Sequence, residues 1–230
     1  MENETLIKET MISNTKVVSL KEIKHKAYLF VKRTADIIIA IVGCLFLLPV
    51  ALIIKICNLV TGDKHPMILS QKRIGKNGKE FDFYKFRSMI PNADEALFKL
   101  LEKNEERRKE YELNKKLEND PRITKVGKFI RKTSIDELPQ LINILKGDMS
   151  LIGNRPYLPR EKKDMGKYFD DIVKTKPGLT GYWQVNGRSE TSFGERLTLE
   201  KYYSRHASLK MDINIFFKTF YVVLKHKGSK

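Results

Sequence analysis

Between Ile37 and Ile54 the chain carries no charged side chain. A helix of that length rises roughly 27 Å, close to the hydrocarbon thickness of a bilayer. Pro49 lies inside the run; it removes a backbone hydrogen bond and clashes with the carbonyl of Leu45, which predicts a break there. Two readings follow: a kinked spanning helix, or a re-entrant helix-break-helix. Lys32 and Arg33 precede the run, and Lys55, Lys64, Lys72 and Arg73 follow it. Basic clusters at both ends suit two ends on the same, cytoplasmic side. The run starts too late for a signal peptide, and no small-residue cleavage site follows it. Upstream, Ser19-Leu20-Lys21-Glu22 reads as a capping box. The helix it opens has Leu20, Ile23, Ala27, Phe30 and Val31 at amphipathic spacing, fit either to lie on a membrane or to pack on its own domain.

Beyond the apolar run the patterning changes. Met67–Gln71 and Phe81–Phe86 read as short strands, joined through Gly75-Lys76-Asn77-Gly78, whose Asn-Gly predicts a hairpin. Asn92, with Glu95 three residues on, predicts the start of a long helix whose mixed charges between Lys99 and Glu118 suit a solvated face. After Asp120-Pro121, the spacing of Ile123, Val126, Phe129 and Ile130 is helical. Leu138–Lys146 forms another helix ended by Gly147, and Ser192-Phe193-Gly194-Glu195 starts a further one. The last, from about Asp212 to His226, is apolar and aromatic with lysines around it, fit for an interface or a core.

Charge adds a partner to this picture. Lysine and arginine number 44 against 28 acids, a net +16, which predicts an anionic partner such as nucleic acid, acidic lipid or a phosphate-bearing substrate. Cys44 and Cys57 form no CxxC and suit a reducing compartment. His25, His65, His206 and His226 lack metal-ligand spacing, and the chain has neither GxGxxG nor GxxxxGK[ST]. Zinc chemistry and a Rossmann dinucleotide site are therefore not signalled.

Candidate chemistry concentrates in Arg131-Lys132-Thr133-Ser134-Ile135-Asp136-Glu137-Leu138-Pro139. Proline is tolerated in a first helical turn, so Pro139 predicts Asp136 and Glu137 at a helix N-terminus, where anions are favoured. Two acids with two bases upstream suit a phosphoryl group bridged by a divalent cation. An aspartate held ionised there can attack phosphorus. The plainer reading, a helix cap, fits the same residues. Gly153-Asn154-Arg155-Pro156 and Pro177–Arg188, the latter with the single tryptophan Trp183, are Gly-rich loops. Such loops can bring amides and guanidinium forks to phosphate, or be turns only.

Taken together, these segments resemble the bacterial sugar transferases, monotopic polyprenyl-phosphate phosphoglycosyl transferases of the capsule and exopolysaccharide type. The matching pieces are Lys32-Arg33-Thr34-Ala35-Asp36, the run with Pro49, Gln71–Gly75, Phe83–Met89, Asp120–Thr124, Arg131–Leu141, Gly147–Pro156 and Pro177–Arg188. The resemblance implies an α+β, mainly helical fold with a small β element, a re-entrant membrane helix broken at Pro49, and amphipathic interfacial helices. It implies three parts: an N-terminal tail 1–18, a membrane part 19–62, and a cytoplasmic catalytic domain 63–230 ending in an interfacial helix. It further implies Asp136 as nucleophile and metal ligand for Mg²⁺ (or Mn²⁺), Glu137 as its partner, and Arg131, Arg155 and Arg188 as phosphate-binding residues. The partners would be a UDP-sugar, undecaprenyl phosphate and membrane lipids at the cytoplasmic face of the inner membrane, with no nucleic acid and with a homodimer open.

Two positions depart from the pattern. Asn154 stands where many relatives carry proline, and Leu48 where a serine often precedes the hairpin proline. Without the extra transmembrane helices of longer relatives, the chain resembles the minimal catalytic unit. A glycosyltransferase moving sugar without phosphate, or a basic lipid- or nucleic-acid-binding module, are the rival classes. No helix-turn-helix or RNP-like pattern supports the latter. Their products separate them: nucleoside monophosphate, nucleoside diphosphate, or no turnover.

Overall fold

The computed structural model describes residues 2–114, 117–188 and 191–224. It is mainly helical. Helix α1 spans Glu2–Val60. With no glycine or proline before residue 43, nothing halts a helix ahead of Ser19, so the predicted capping box lies inside α1 and residues 2–18 are helical. Helix α1 also runs on through Pro49, where the sequence predicts a break. A proline removes only one hydrogen bond, and packing on both sides of it holds the helix. Leu47, Val50, Ala51 and Ile54 join Phe86 and Ile130, while Ala40 and Cys44 join the cluster of Leu141 and Ile144.

Strands β1 (Ile68–Ile74) and β2 (Glu80–Phe86) form the predicted antiparallel hairpin, from Ile68 opposite Phe86 to Ile74 opposite Glu80. Asn77 takes the left-handed conformation (φ 57°) that an Asn-Gly turn supplies. The long charged helix is divided at Asn104 into α2 (Ala93–Lys103) and α3 (Glu105–Asn114). Asn92 occupies the cap position of α2, but its own φ is 56° and its side chain makes no capping bond. Helix α4 (Lys125–Lys132) is capped by Thr124, whose hydroxyl accepts from the Gly127 amide at 2.9 Å. Helix α5 (Gln140–Lys146) ends at Gly147, φ 88°.

Two strands, β3 (Ser150–Ile152) and β4 (Gly178–Thr180), pair in parallel. Between them lie the short helices α6 (Lys162–Met165) and α7 (Phe169–Ile172). Tyr182–Asn186, read from sequence as loop, is helix α8. Helix α9 (Phe193–His206) begins at the predicted start, with a capping box: Ser192 Oγ accepts from the Glu195 amide, and the Glu195 carboxylate accepts from the Ser192 amide at 2.8 Å. Helix α10 is described over Leu209–Leu224; the predicted extension to His226 lies outside the described residues.

Polar contacts bind α1 to this body. Arg33 donates to the carbonyls of Ile144 (2.6 Å) and Leu145 (3.0 Å) at the end of α5. The Asp36 carboxylate, 4% exposed, accepts from the Leu151 amide at 2.8 Å and the Ser150 hydroxyl at 3.1 Å. Lys32 pairs with Asp212 at 2.6 Å and donates to the Ile152 carbonyl at 2.8 Å, while Tyr28 and Tyr203 donate to the same Asp212 carboxylate. A Cβ on Gly43 would sit 2.7 Å from Leu141 Cδ1, so α1 and α5 touch where glycine leaves room.

Candidate active site

Asp136 and Glu137 lie in a 3₁₀ turn, Ile135–Glu137, between α4 and α5. The helix proper begins at Gln140, so the acid pair precedes it instead of sitting in its first turn. Pro139 has helical backbone angles and caps α5, which continues the spiral from the turn into the helix. Ser134 enters that turn left-handed, φ 58°, a conformation costly for a residue with a Cβ. It bends the chain out of α4 so that the acids face the cations around them.

Those cations come from four places in the chain. Arg131 ends α4, and its Nε donates to Ser88 Oγ at 2.8 Å. A Cβ on Gly127 would fall 1.9 Å from the Ser88 carbonyl oxygen, so only glycine lets α4 approach close enough for that bond. Segment 87–90 is held in turn by Arg122. Its main-chain carbonyl accepts from Ile90 at 2.8 Å, and its side chain is clamped by Asp120 at 2.6 and 2.9 Å. Arg155 follows β3, Arg188 follows α8 in a left-handed conformation (φ 47°), and Lys85 stands on β2.

Burial raises the Asp136 carboxyl, against the positive charges of Arg131, Lys85 and Arg155. Desolvation thus opposes the ionised form that the surrounding cations favour. Burial, with the neighbouring Asp136 charge, pushes Glu137 up to about 7, opposed by Arg155, Arg188 and Lys85. Desolvation pushes Lys85 down to about 8. The structure thus brings Arg131, Arg155 and Arg188 to the acid pair, and adds Lys85, which sequence reasoning missed. Its signal was present: Lys85 shares the strand register of buried Phe81 and Phe83, an inward position unusual for a lysine. Pro49, exposed on α1, takes no part in this cluster.

The Arg155 loop is tied down residue by residue. Asn154 is 3% exposed, and its amide donates to Ser204 Oγ at 2.6 Å and the Ile172 carbonyl at 3.1 Å, so the asparagine at this departing position is structural. Arg73, buried on β1, donates to the Pro156 carbonyl at 3.1 Å, and the Ile74 amide donates to the Tyr157 carbonyl at 2.8 Å. Trp183 stacks with Arg155, whose guanidinium lies 5.8 Å from its ring centre.

Among the described residues no three ligating side chains converge, so there is no protein-only metal cage. A magnesium ion held against substrate phosphates needs only one or two carboxylates, and Asp136 and Glu137 are the two carboxylates that stand beside the cationic cluster.

A sequence model described as bacterial sugar transferase matches residues 27–226. The chain belongs to that family. It is 46% identical over 203 residues to the undecaprenyl-phosphate galactose phosphotransferase of Salmonella typhimurium, covering 87% of this chain and 42% of that protein. It is 45% identical to the galactosyl transferase CpsE of Streptococcus agalactiae, covering 92% of this chain and 46% of the relative. It is 38% identical to the exopolysaccharide production protein ExoY of Sinorhizobium fredii, covering 86% of this chain and 87% of ExoY. The chain therefore spans less than half of the first two relatives, and most of a short family member.

Proposed function

We propose that this bacterial sugar transferase moves a sugar-1-phosphate from a UDP-sugar to undecaprenyl phosphate, initiating capsule or exopolysaccharide assembly. The observation that carries the reading is one cluster: adjacent Asp136 and Glu137 in a strained turn, faced by Lys85, Arg131, Arg155 and Arg188. Such a cluster suits a diphosphate, whose negative charge would otherwise repel an attacking carboxylate. An Asp136 oxygen attacks the phosphorus that bears the sugar. The bond from that phosphorus to the bridging oxygen breaks, and UMP leaves with the electron pair. Undecaprenyl phosphate then attacks the phosphosugar-aspartyl phosphorus, and Asp136 departs as carboxylate. Lys85 and the arginines hold the phosphate oxygens through both steps, and Glu137 assists the acceptor. Asp136, with Glu137 beside it, would hold Mg²⁺, which supplies charge neutralisation at the diphosphate.

Relatives at 46% and 45% identity carry galactose or galactosyl in their names, so a hexose is the sugar to test first. Enzyme given the right UDP-sugar without undecaprenyl phosphate should gain the mass of one phosphosugar on the peptide containing Asp136. Asp136→Asn should lose activity by several orders of magnitude and gain no adduct. A near-wild-type Asp136→Asn enzyme, or an adduct on another residue, rejects the assignment. EDTA should stop turnover and Mg²⁺ restore it; full activity in chelator removes the metal.

We further propose that α1 enters the membrane from one side only and lies at the cytoplasmic face of the inner membrane. It is the helix among the described residues that is long and apolar enough to cross a bilayer. Residues on both sides of Pro49 pack on the same catalytic body, which supports one-sided association over spanning, without the break at Pro49 that a re-entrant hairpin would need.

A further inference from the structure

Helix α9 holds a carboxylate that the reaction above does not use. Glu200 is 1% exposed, and its Oε1 accepts the main-chain N–H of Arg155 at 3.2 Å. No hydrogen bond of good geometry reaches its Oε2 among the described residues, although the Tyr157 hydroxyl lies close enough to interact with the carboxylate. One turn earlier on the same helix, Arg196 spreads over the rings of Phe193 (4.6 Å), Tyr157 (4.8 Å) and Trp183 (5.0 Å), with Nε and Nη2 unpartnered. Burial raises the Glu200 carboxyl to about 7, with Arg196 the main opposing charge. A carboxylate placed there costs free energy that a buried leucine would not. Stability therefore does not account for it.

Its hydrogen bond to the main chain points to what it does. Around Arg155 the main chain is fixed at Asn154, whose carbonyl accepts from the Gly178 amide at 2.8 Å, at Pro156 by Arg73, and at Tyr157 by Ile74. The Arg155 amide is held by Glu200 alone among the described residues. From that amide the Arg155 side chain reaches toward Trp183 and the acid pair. We propose that Glu200 is a positioning residue that fixes the main chain of Arg155, so that its guanidinium meets the diphosphate of the sugar nucleotide.

This inference rests on the phosphate-binding role of Arg155, and a double-mutant cycle separates the two. Full-length enzyme in detergent would be assayed for UMP release against UDP-sugar concentration. Glu200→Met keeps the volume and removes the acceptor; it should raise KM for the UDP-sugar about tenfold with kcat nearly unchanged, the effect of roughly one lost hydrogen bond. Glu200→Gln keeps an acceptor oxygen and should stay within about twofold of wild type. Arg155→Ala should also raise KM, and adding Glu200→Met to it should bring no further loss, because the second residue acts through the first. Multiplied effects in the double variant, or Glu200→Gln as impaired as Glu200→Met, overturn the proposal. Arg155→Ala with unchanged KM overturns it by removing Arg155 from phosphate binding, a result visible before the cycle is closed. Should Glu200→Met fail to fold, Glu200→Asp, which withdraws the oxygen by one methylene, takes its place in the same cycle.

Discussion

At the scale of single residues, the burial of the acid pair and its proposed catalytic role make opposite demands on its charge state. Glu137 is pushed up to about 7 mainly by burial, so the folded protein holds this proton more tightly than the unfolded chain does. The sign follows: the stability that Glu137 contributes by staying protonated is present at low pH and is lost as pH rises toward 7, while the unfolded carboxyl ionises freely. Glu137→Gln should therefore melt at a higher temperature than wild type at pH 8, with the gap closing near pH 5. Equal melting curves at both pH values would contradict the burial argument. Activity moves the other way. Because Glu137 is also proposed to help hold Mg²⁺ at the diphosphate, kcat/KM for the UDP-sugar, which reports the free enzyme, should fall in wild type as pH drops below about 7. In Glu137→Gln the remaining limb, at lower activity, should shift to lower pH, since Asp136 then titrates without a negative neighbour. An unshifted limb would assign it to another group.

The elements show where a sequence discloses its fold. The β1–β2 hairpin was legible because Asn77-Gly78 demands a specific turn, and α9 because Ser192 and Glu195 reciprocate bonds at a fixed spacing. Pro139 signalled a helix start near the acid pair but not its register: the pair lies in a 3₁₀ turn ahead of α5 and not in its first turn. Strands β3 and β4 were hidden: three residues each carry no period, and they pair only because distant segments converge. Lys85 was hidden because a lysine on a strand reads as solvated until its strand face is known. The run through Pro49 was misread because local propensity ignores the packing of Leu47, Val50, Ala51 and Ile54. Asp36 illustrates the same dependence on distant contacts. Removing its carboxylate by Asp36→Ala strands the Leu151 amide and Ser150 hydroxyl in a buried site, at a cost on the order of 2–3 kcal/mol. Chemical denaturation should show that loss, whereas removing the exposed Lys99–Glu95 pair should change little. A neutral Asp36→Ala would mean that the clamp between α1 and β3 contributes nothing.

For the whole molecule, the arrangement of α1 bears directly on the proposed one-sided membrane association. One side of the helix, through Asp36, Ala40, Gly43, Leu47, Ala51, Ile54 and Asn58, follows the catalytic body from the 3₁₀ turn's neighbour α5 to β2. The other side exposes Ile38, Ile41, Leu45, Leu48, Leu52 and Ile56, a large apolar surface unsuited to water. A helix packed on one body at both ends of its apolar run cannot carry those ends to opposite faces of a bilayer without unpacking one of them. It can bury its outer side in one leaflet, and under the proposed function this would bring Asp136 to the head groups where undecaprenyl phosphate presents its phosphate. The basic residues that bracket the run would stay with the same leaflet. After Cys44 and Cys57 are changed to serine, single cysteines at Lys26 and Lys201 test this arrangement. In intact cells neither should react with a membrane-impermeant maleimide, and in inverted vesicles both should. Reaction of Lys26→Cys in intact cells, with Lys201→Cys protected, would restore a spanning helix and require the contacts of Ala40 or Ile54 with the catalytic body to break in the membrane.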